Sequence, residues 1–175
     1  MKRVQAMTFL VSAAVSGVVF SNRPADAADR RVSAFGCFTS GGRFEEWQGD
    51  NTGVYSTARL NCPLPDDSYM PKWSVRTLTV YGRDGNSSPP PSNYTDPDLD
   101  PNIWAVACVT YWGIAGGGCG TGVATNGTFS GNYAVSPGLE VWSQGYPDFA
   151  YLWLRLPRGS TTTTQSTFRG FHVST

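Results

Sequence analysis

Short runs of β-branched and aromatic residues alternate along most of this chain with Gly, Pro, Asn and Asp. Such runs predict β-strands, and the residues between them predict turns. After residue 27, no segment shows the 3.6-residue apolar period of an amphipathic helix. The sequence therefore predicts an all-β fold, a β-sandwich or jelly roll of about seven or eight antiparallel strands, with a barrel as the alternative.

Strands are predicted at residues 32–39, 54–60, 73–81, 103–112, 139–142, 149–156 and 168–174. The run at 103–112 is apolar on both faces apart from Thr110, as expected of a central strand. A change of phase within 73–81 predicts a bulge near Arg76 or Thr77. The last two strands are interpreted as a hairpin across residues 159–166.

Residues 149–156 alternate most clearly. The even positions are aliphatic and predict a core-facing side, made of Ala150, Leu152, Leu154 and Leu156. The odd positions predict an outward, mostly aromatic side, made of Phe149, Tyr151, Trp153 and Arg155. An exposed aromatic stripe favours ligand binding, for example to sugar rings. Packing beneath a loop and contact between copies of the chain are the alternatives.

The N-terminal residues have the pattern of an export signal. Lys2 and Arg3 precede an apolar stretch at residues 6–20, and Ala25-Asp26-Ala27 provides the small residues that signal peptidase requires. About 15 apolar residues are fewer than the roughly 20 that a spanning helix needs. We therefore expect a cleaved signal peptide at residues 1–27, a secreted or periplasmic protein without a membrane span, and one domain at residues 28–175.

The charge of the expected mature chain argues against nucleic acid as a partner. Removing Lys2, Arg3, Arg23 and Asp26 from 13 basic and 13 acidic residues leaves 10 and 12. The remaining arginines are scattered along the sequence and form no basic run that would neutralise phosphates.

Four cysteines, all after residue 27, predict a disulfide framework in an exported chain. Of the three pairings that can be drawn, we favour Cys37 with Cys62 and Cys108 with Cys119, because sequential pairing closes short loops. A zinc site is disfavoured, since C-x2-C pairs are absent and His172 is the single histidine.

A proline-rich segment at residues 83–102 is too long for a compact turn. Asp96, Asp98 and Asp100 alternate within it and suggest a calcium site, because Ca²⁺ takes six to eight oxygen ligands. The EF-hand pattern is absent, so a solvated acidic loop is the competing interpretation. No other cofactor is predicted.

Motifs for catalysis are weak. The glycine-rich residues 116–122 fit no phosphate-binding pattern and are interpreted as a turn beside a disulfide. His172 has no serine in a G-x-S-x-G elbow to activate. Glu45, Glu46 and Glu140 are candidates for a glycosidase pair, but the first two are neighbours and would point to opposite faces of a strand.

These observations favour a secreted, non-catalytic binding module for a polysaccharide or another cell-surface ligand. The alternatives are a structural or interaction protein of an envelope, matrix or coat, and a secreted glycan-active hydrolase. The binding module predicts that the odd-numbered side chains of residues 149–155 are exposed to solvent. The structural or interaction protein predicts self-association through that face, and the hydrolase predicts two carboxylates in one cleft.

Overall fold

The structure is a computed structural model that describes residues 28–41, 44–45, 50–51, 57–65, 67–68, 70–85, 101–111, 113, 115–126, 130–144, 148–157 and 165–175. The predicted signal peptide at residues 1–27 lies outside these ranges. The predicted calcium ligands Asp96, Asp98 and Asp100 also lie outside them.

Twelve strands are present in the described residues: β1 (Asp29–Ser33), β2 (Phe38–Gly41), β3 (Phe44–Glu45), β4 (Asp50–Asn51), β5 (Ala58–Pro63), β6 (Thr77–Asp84), β7 (Trp104–Thr110), β8 (Gly117–Cys119), β9 (Val123–Ala124), β10 (Gly131–Val135), β11 (Phe149–Leu156) and β12 (Thr167–Ser174). Two single 3-10 turns, at Ala34–Gly36 and Lys72–Ser74, are also present. Within the same ranges, no helix has the length and apolar character needed to cross a membrane.

The strands form two antiparallel sheets. Sheet A has the order β10-β6-β12-β4-β3, with β1 also paired to β12. Sheet B has the order β2-β5-β11-β7-β8, with β9 also paired to β7. Buried apolar residues of both sheets belong to one cluster, so the sheets pack face to face as a β-sandwich. The all-β fold predicted from the sequence is confirmed.

Strand β11 lies at the centre of sheet B and has the bounds that its alternation predicts. Leu154 is in register with Leu60 of β5 on one side and Ala105 of β7 on the other, and all three are fully buried. The remaining even positions of β11 are also buried: Ala150, Leu152 and Leu156. Because side chains alternate across a strand, the odd positions belong to the outer face of sheet B.

Both disulfides have the pairing favoured from the sequence. Cys37 is bonded to Cys62, and Cys108 is bonded to Cys119. Both lie in sheet B: the first joins the residue before β2 to β5, and the second joins β7 to β8. Two disulfides indicate an oxidising, extracellular environment.

Residues 139–142, predicted as a strand, form a turn instead. The backbone N–H groups of Trp142 and Ser143 both donate to the carbonyl of Leu139, at 2.9 and 3.2 Å. The turn buries the Trp142 indole completely, and its Nε1 donates to the carbonyl of Cys108 at 2.9 Å. The apolar residues of this segment, Leu139, Val141 and Trp142, therefore pack against the core from a turn and not from a strand face.

The predictions of a bulge near Arg76 and of a terminal hairpin are wrong. The 3-10 turn Lys72–Ser74 precedes β6, and the phase change marks the passage from turn to strand. The bulge lies in β12, between Phe168 and Gly170. Strands β11 and β12 belong to different sheets and do not pair.

The proline-rich segment begins later than predicted, because Arg83 and Asp84 still belong to β6. Its residues 86–100 lie outside the described ranges. The described ends on either side are tied together, since Thr125 Oγ1 accepts from the N–H of Ile103 at 3.0 Å and donates to Asp84 Oδ2 at 2.6 Å.

Candidate ligand-binding surface

The outer face of sheet B carries the residues that the alternation of β11 singles out. The strand places four side chains on this face: Phe149, Tyr151, Trp153 and Arg155. Tyr151 is in register with Pro63 of β5, and Phe149 is in register with Thr110 of β7. The outer face at this end of β11 is therefore built from three neighbouring strands.

A cavity of about 320 Å³ lies at the Phe149 end of this face. Its side chains are mostly aromatic or polar and include Phe38, Asn61, Pro63, Thr110, Phe149 and Tyr151. Phe149 is 64% exposed and Phe38 is 55% exposed, whereas Tyr151 is half-buried. We call Phe38, Phe149 and Tyr151 the aromatic platform. Rings of this kind can stack on a flat apolar ligand surface while the neighbouring amide and hydroxyl groups form hydrogen bonds.

The other two predicted residues do not line this cavity. Trp153 is half-buried between Asn61 of β5 and Val106 of β7. Arg155 is only 8% exposed, and its guanidinium donates to the carbonyl of Asn102 at 3.4 Å. The predicted stripe is thus divided, since its first half is open and its last residue is packed against the chain.

Phe38 is the platform residue that the sequence reasoning missed. Cys37 is buried because its sulfur is bonded to the core residue Cys62. The next residue of an extended strand points to the opposite face, so Phe38 must point outward. It lies in register with Asn61, which completes the polar side of the cavity. The disulfide was therefore the signal that would have identified Phe38.

A buried polar network surrounds Asp84 on the inner side of β6. Its carboxylate accepts from the hydroxyls of Thr125 at 2.6 Å and Ser166 at 3.3 Å. The Tyr133 hydroxyl donates to the carbonyl of Thr167 at 3.1 Å. Burial and, to a smaller extent, the nearby charge of Asp84 raise the pKa of Tyr133 far above its ordinary value. Because these hydrogen bonds join Asp84 of β6 to Ser166 and Tyr133 of β10 to Thr167, the network ties β6, β10 and β12 together. Neither cavity described for this protein includes these groups.

The glycines at residues 116–122 serve close packing along the edge of sheet B. A Cβ on Gly117 would lie 2.3 Å from the carbonyl oxygen of Val109. A Cβ on Gly122 would lie 2.2 Å from the ring of Trp104. Both distances are shorter than real Cβ contacts, so a side chain at position 117 would clash with the backbone of β7 and one at position 122 would clash with the Trp104 ring.

Neither of the two described cavities is lined by a carboxylate. In the ranges that the structure covers, no group of three or more His, Cys, Asp or Glu could hold a metal ion. The Glu140 carboxylate is at the surface and accepts from the N–H of Thr121 at 3.2 Å. The remaining titratable candidate, His172, pairs with Asp29 on the outer face of sheet A.

Comparison with known protein families, with curated proteins and with solved structures gives no match.

Proposed function

We propose that this protein is a secreted, non-catalytic binding module whose ligand is a polysaccharide or another glycan of a cell surface. The observation that carries the proposal is the aromatic platform, in which three rings surround one cavity on the outer face of sheet B. Stacking a sugar ring on these side chains would remove apolar surface from water on both partners, which favours binding.

The platform is held by rigid elements, which suits a binding role. Strand β11 pairs on both sides, with β5 and β7, and therefore fixes Phe149 and Tyr151. The Cys37–Cys62 disulfide fixes the start of β2 and so the position of Phe38. A surface ordered before the ligand arrives loses less conformational entropy on binding.

Affinity electrophoresis and isothermal titration calorimetry against neutral polysaccharides test the proposal. We expect Phe149→Ala and Tyr151→Ala each to weaken binding by about five- to tenfold, because each removes one stacking ring. Phe35→Ala is the matched control, since Phe35 is 65% exposed but lines neither cavity. Unchanged affinity in both platform variants would overturn the proposal.

The same variants separate the structural alternative, in which the platform contacts a second copy of the chain. Sedimentation velocity of wild-type protein and Phe149→Ala measures this directly. A dimer that dissociates in the variant, together with no affinity for any polysaccharide, would favour the structural role. Release of new reducing ends from a bound polysaccharide would favour the hydrolase.

Export is the remaining part of the proposal. Ala28, the residue after the predicted cleavage site, donates its N–H to Thr175 Oγ1 at 2.9 Å. Because β1 begins at Asp29, a mature chain that starts at Ala28 would contain the whole of β1 and keep this contact. The intact mass of the exported protein is expected to correspond to residues 28–175 with both disulfides formed. Retention of residues 1–27 would contradict this expectation.

A further inference from the structure

A second cavity, of about 460 Å³, lies on the outer face of sheet A, on the opposite side of the sandwich from the aromatic platform. Side chains of three neighbouring strands line it: Arg31 and Ser33 of β1, Tyr81 of β6, and Arg169 and His172 of β12. We call this cavity the arginine pocket.

The shape of the arginine pocket depends on a glycine. Gly170 follows the bulge of β12 and lies in register between Ser33 and Tyr81. Its φ of +141° is rare for residues with a side chain, and a Cβ would lie 2.2 Å from the carbonyl oxygen of Val32. Position 170 therefore has no side chain to fill the space between Ser33 of β1 and Tyr81 of β6. The Tyr81 ring, which is 41% exposed, lines this space.

The arginines give the pocket a positive charge. The side chains of Arg31 and Arg169 are exposed, and neither has an ion pair or hydrogen bond among the described residues. The carboxylate of Asp29, on the same face, is engaged by His172. Two guanidinium groups beside a half-open aromatic ring are thus available to a ligand.

We propose that the arginine pocket binds the acidic group of an acidic saccharide, either the carboxylate of a uronic acid or a sulfate ester. A guanidinium binds such oxyanions through two parallel N–H donors. The Ser33 hydroxyl supplies a further donor, and the Tyr81 ring supplies an apolar surface for the sugar that carries the acidic group.

The pocket suits a single acidic sugar better than a nucleic acid. A nucleic-acid backbone is bound by cations that follow its phosphates along a groove. Arg83 is also exposed and lies on an outward position of β6, but it does not line the pocket. The cavity therefore presents two cations and one ring at one place, and not a track of cations.

Titration calorimetry on the mature protein at low ionic strength tests the proposal with four probes. These are an oligogalacturonate, a heparin-derived oligosaccharide, a neutral cello-oligosaccharide and a single-stranded oligonucleotide. The first two distinguish carboxylate from sulfate as the bound group. We expect Arg31→Gln combined with Arg169→Gln to weaken binding of the preferred acidic saccharide by about tenfold or more. Tyr81→Ala is expected to weaken it by about threefold or more.

Arg83→Gln is the matched control, because it removes the same charge from the same face outside the pocket. It is expected to change the affinity less than about twofold. The single variants Arg31→Gln and Arg169→Gln should each lose part of the affinity, so the measurement does not depend on how the double variant folds.

Three results would overturn the proposal. They are binding of neither acidic saccharide, equal losses in the control and the double variant, and tighter binding of the oligonucleotide than of either acidic saccharide. Binding of neutral glycans through the aromatic platform should be unchanged in the double variant. The two sites can therefore be judged independently.

Discussion

Phe149 and Leu154 lie on the same strand but face different surroundings. Leu154 is fully buried in the core, and we expect Leu154→Ala to lower the free energy of unfolding by about 2 to 5 kcal/mol because it leaves a cavity. Phe149→Ala should cost less than about 1 kcal/mol, since most of its ring is already in water. Urea unfolding of both variants measures the difference.

Trp153 provides an internal check on the two faces of β11. Its ring is half-buried, so Trp153→Ala should lower the free energy of unfolding by an amount between the values for Phe149 and Leu154. Similar losses for Phe149→Ala and Leu154→Ala would mean that the odd face of β11 is a second buried layer. The aromatic platform would then not be accessible to a ligand.

Gly170 and Gly36 allow a backbone requirement to be tested with one substitution. Gly170→Ala would bring a Cβ against the carbonyl of Val32 at a positive φ, and we expect a loss of about 2 kcal/mol or more. Gly36→Ala would place a Cβ at an ordinary 3.6 Å from Val32 Cγ1 and should change the stability little. Thermal melting compares them, and equal melting temperatures would contradict the requirement for glycine at position 170.

At the scale of an element, the turn at residues 139–142 has a pH-dependent contact. Hydrogen bonds from its own backbone N–H and from the N–H of Thr121 lower the pKa of Glu140 below its ordinary 4.5. A lowered pKa in the folded state means that the contact stabilises the fold above pH 4.5 and is lost as the pH falls through the folded value. The effect is small because the carboxylate is exposed.

We therefore expect Glu140→Gln to be less stable than the wild type near neutral pH, by a difference that shrinks as the pH falls below 4.5. Thermal melts at neutral pH and over a series of acidic pH values measure this change. Ser143→Ala is the control, since it removes a 2.7 Å hydrogen bond to the carbonyl of Glu140 that involves no titrating group. A pH-independent difference for Glu140→Gln would show that the carboxylate does not hold the turn.

The elements differ in how well the sequence predicts them. Strand β11 is predicted with its correct bounds because its two faces have different side chains throughout. Residues 139–142 are mispredicted because a turn that buries one tryptophan is locally as apolar as a short strand. The supposed hairpin between β11 and β12 fails for another reason, since the faces of a strand do not reveal which strand it pairs with.

The candidate surfaces show the same limit. Alternation places Phe149 and Tyr151 outside the core, but it contains no information on Phe38, which joins them only through the pairing of β2 with β5. Arg31 and Arg169 are 138 positions apart in the printed numbering, from 31 to 169, and come together because β1 pairs with β12. Scattered arginines in a sequence are therefore compatible with a local positive charge in the fold.

At the scale of the whole molecule, both covalent links lie in sheet B. The loops that they close span 25 and 11 residues of sequence separation. We expect removal of the first, as Cys37→Ala with Cys62→Ala, to lower the free energy of unfolding by about 3 to 4 kcal/mol. Removal of the second, as Cys108→Ala with Cys119→Ala, should cost about 3 kcal/mol.

Urea denaturation of the two double variants measures these costs, and complete reduction of the wild type should approach their sum. Sheet A has no covalent link among its described strands and depends on its pairing and on the shared core. Unchanged stability after removal of either bridge would mean that the core and the hydrogen bonds alone hold sheet B.

The pairing of β1 with β12 also determines how the domain can be attached to something else. Ala28 and Thr175 hydrogen-bond to each other through N–H to Oγ1 and N–H to carbonyl contacts, at 2.9 and 3.0 Å. In a mature chain that begins at Ala28, a tag or a fused domain at either terminus would therefore leave from the same end of the β1–β12 pair. Immobilising the mature protein by one terminus or by the other should therefore give it the same orientation on a surface.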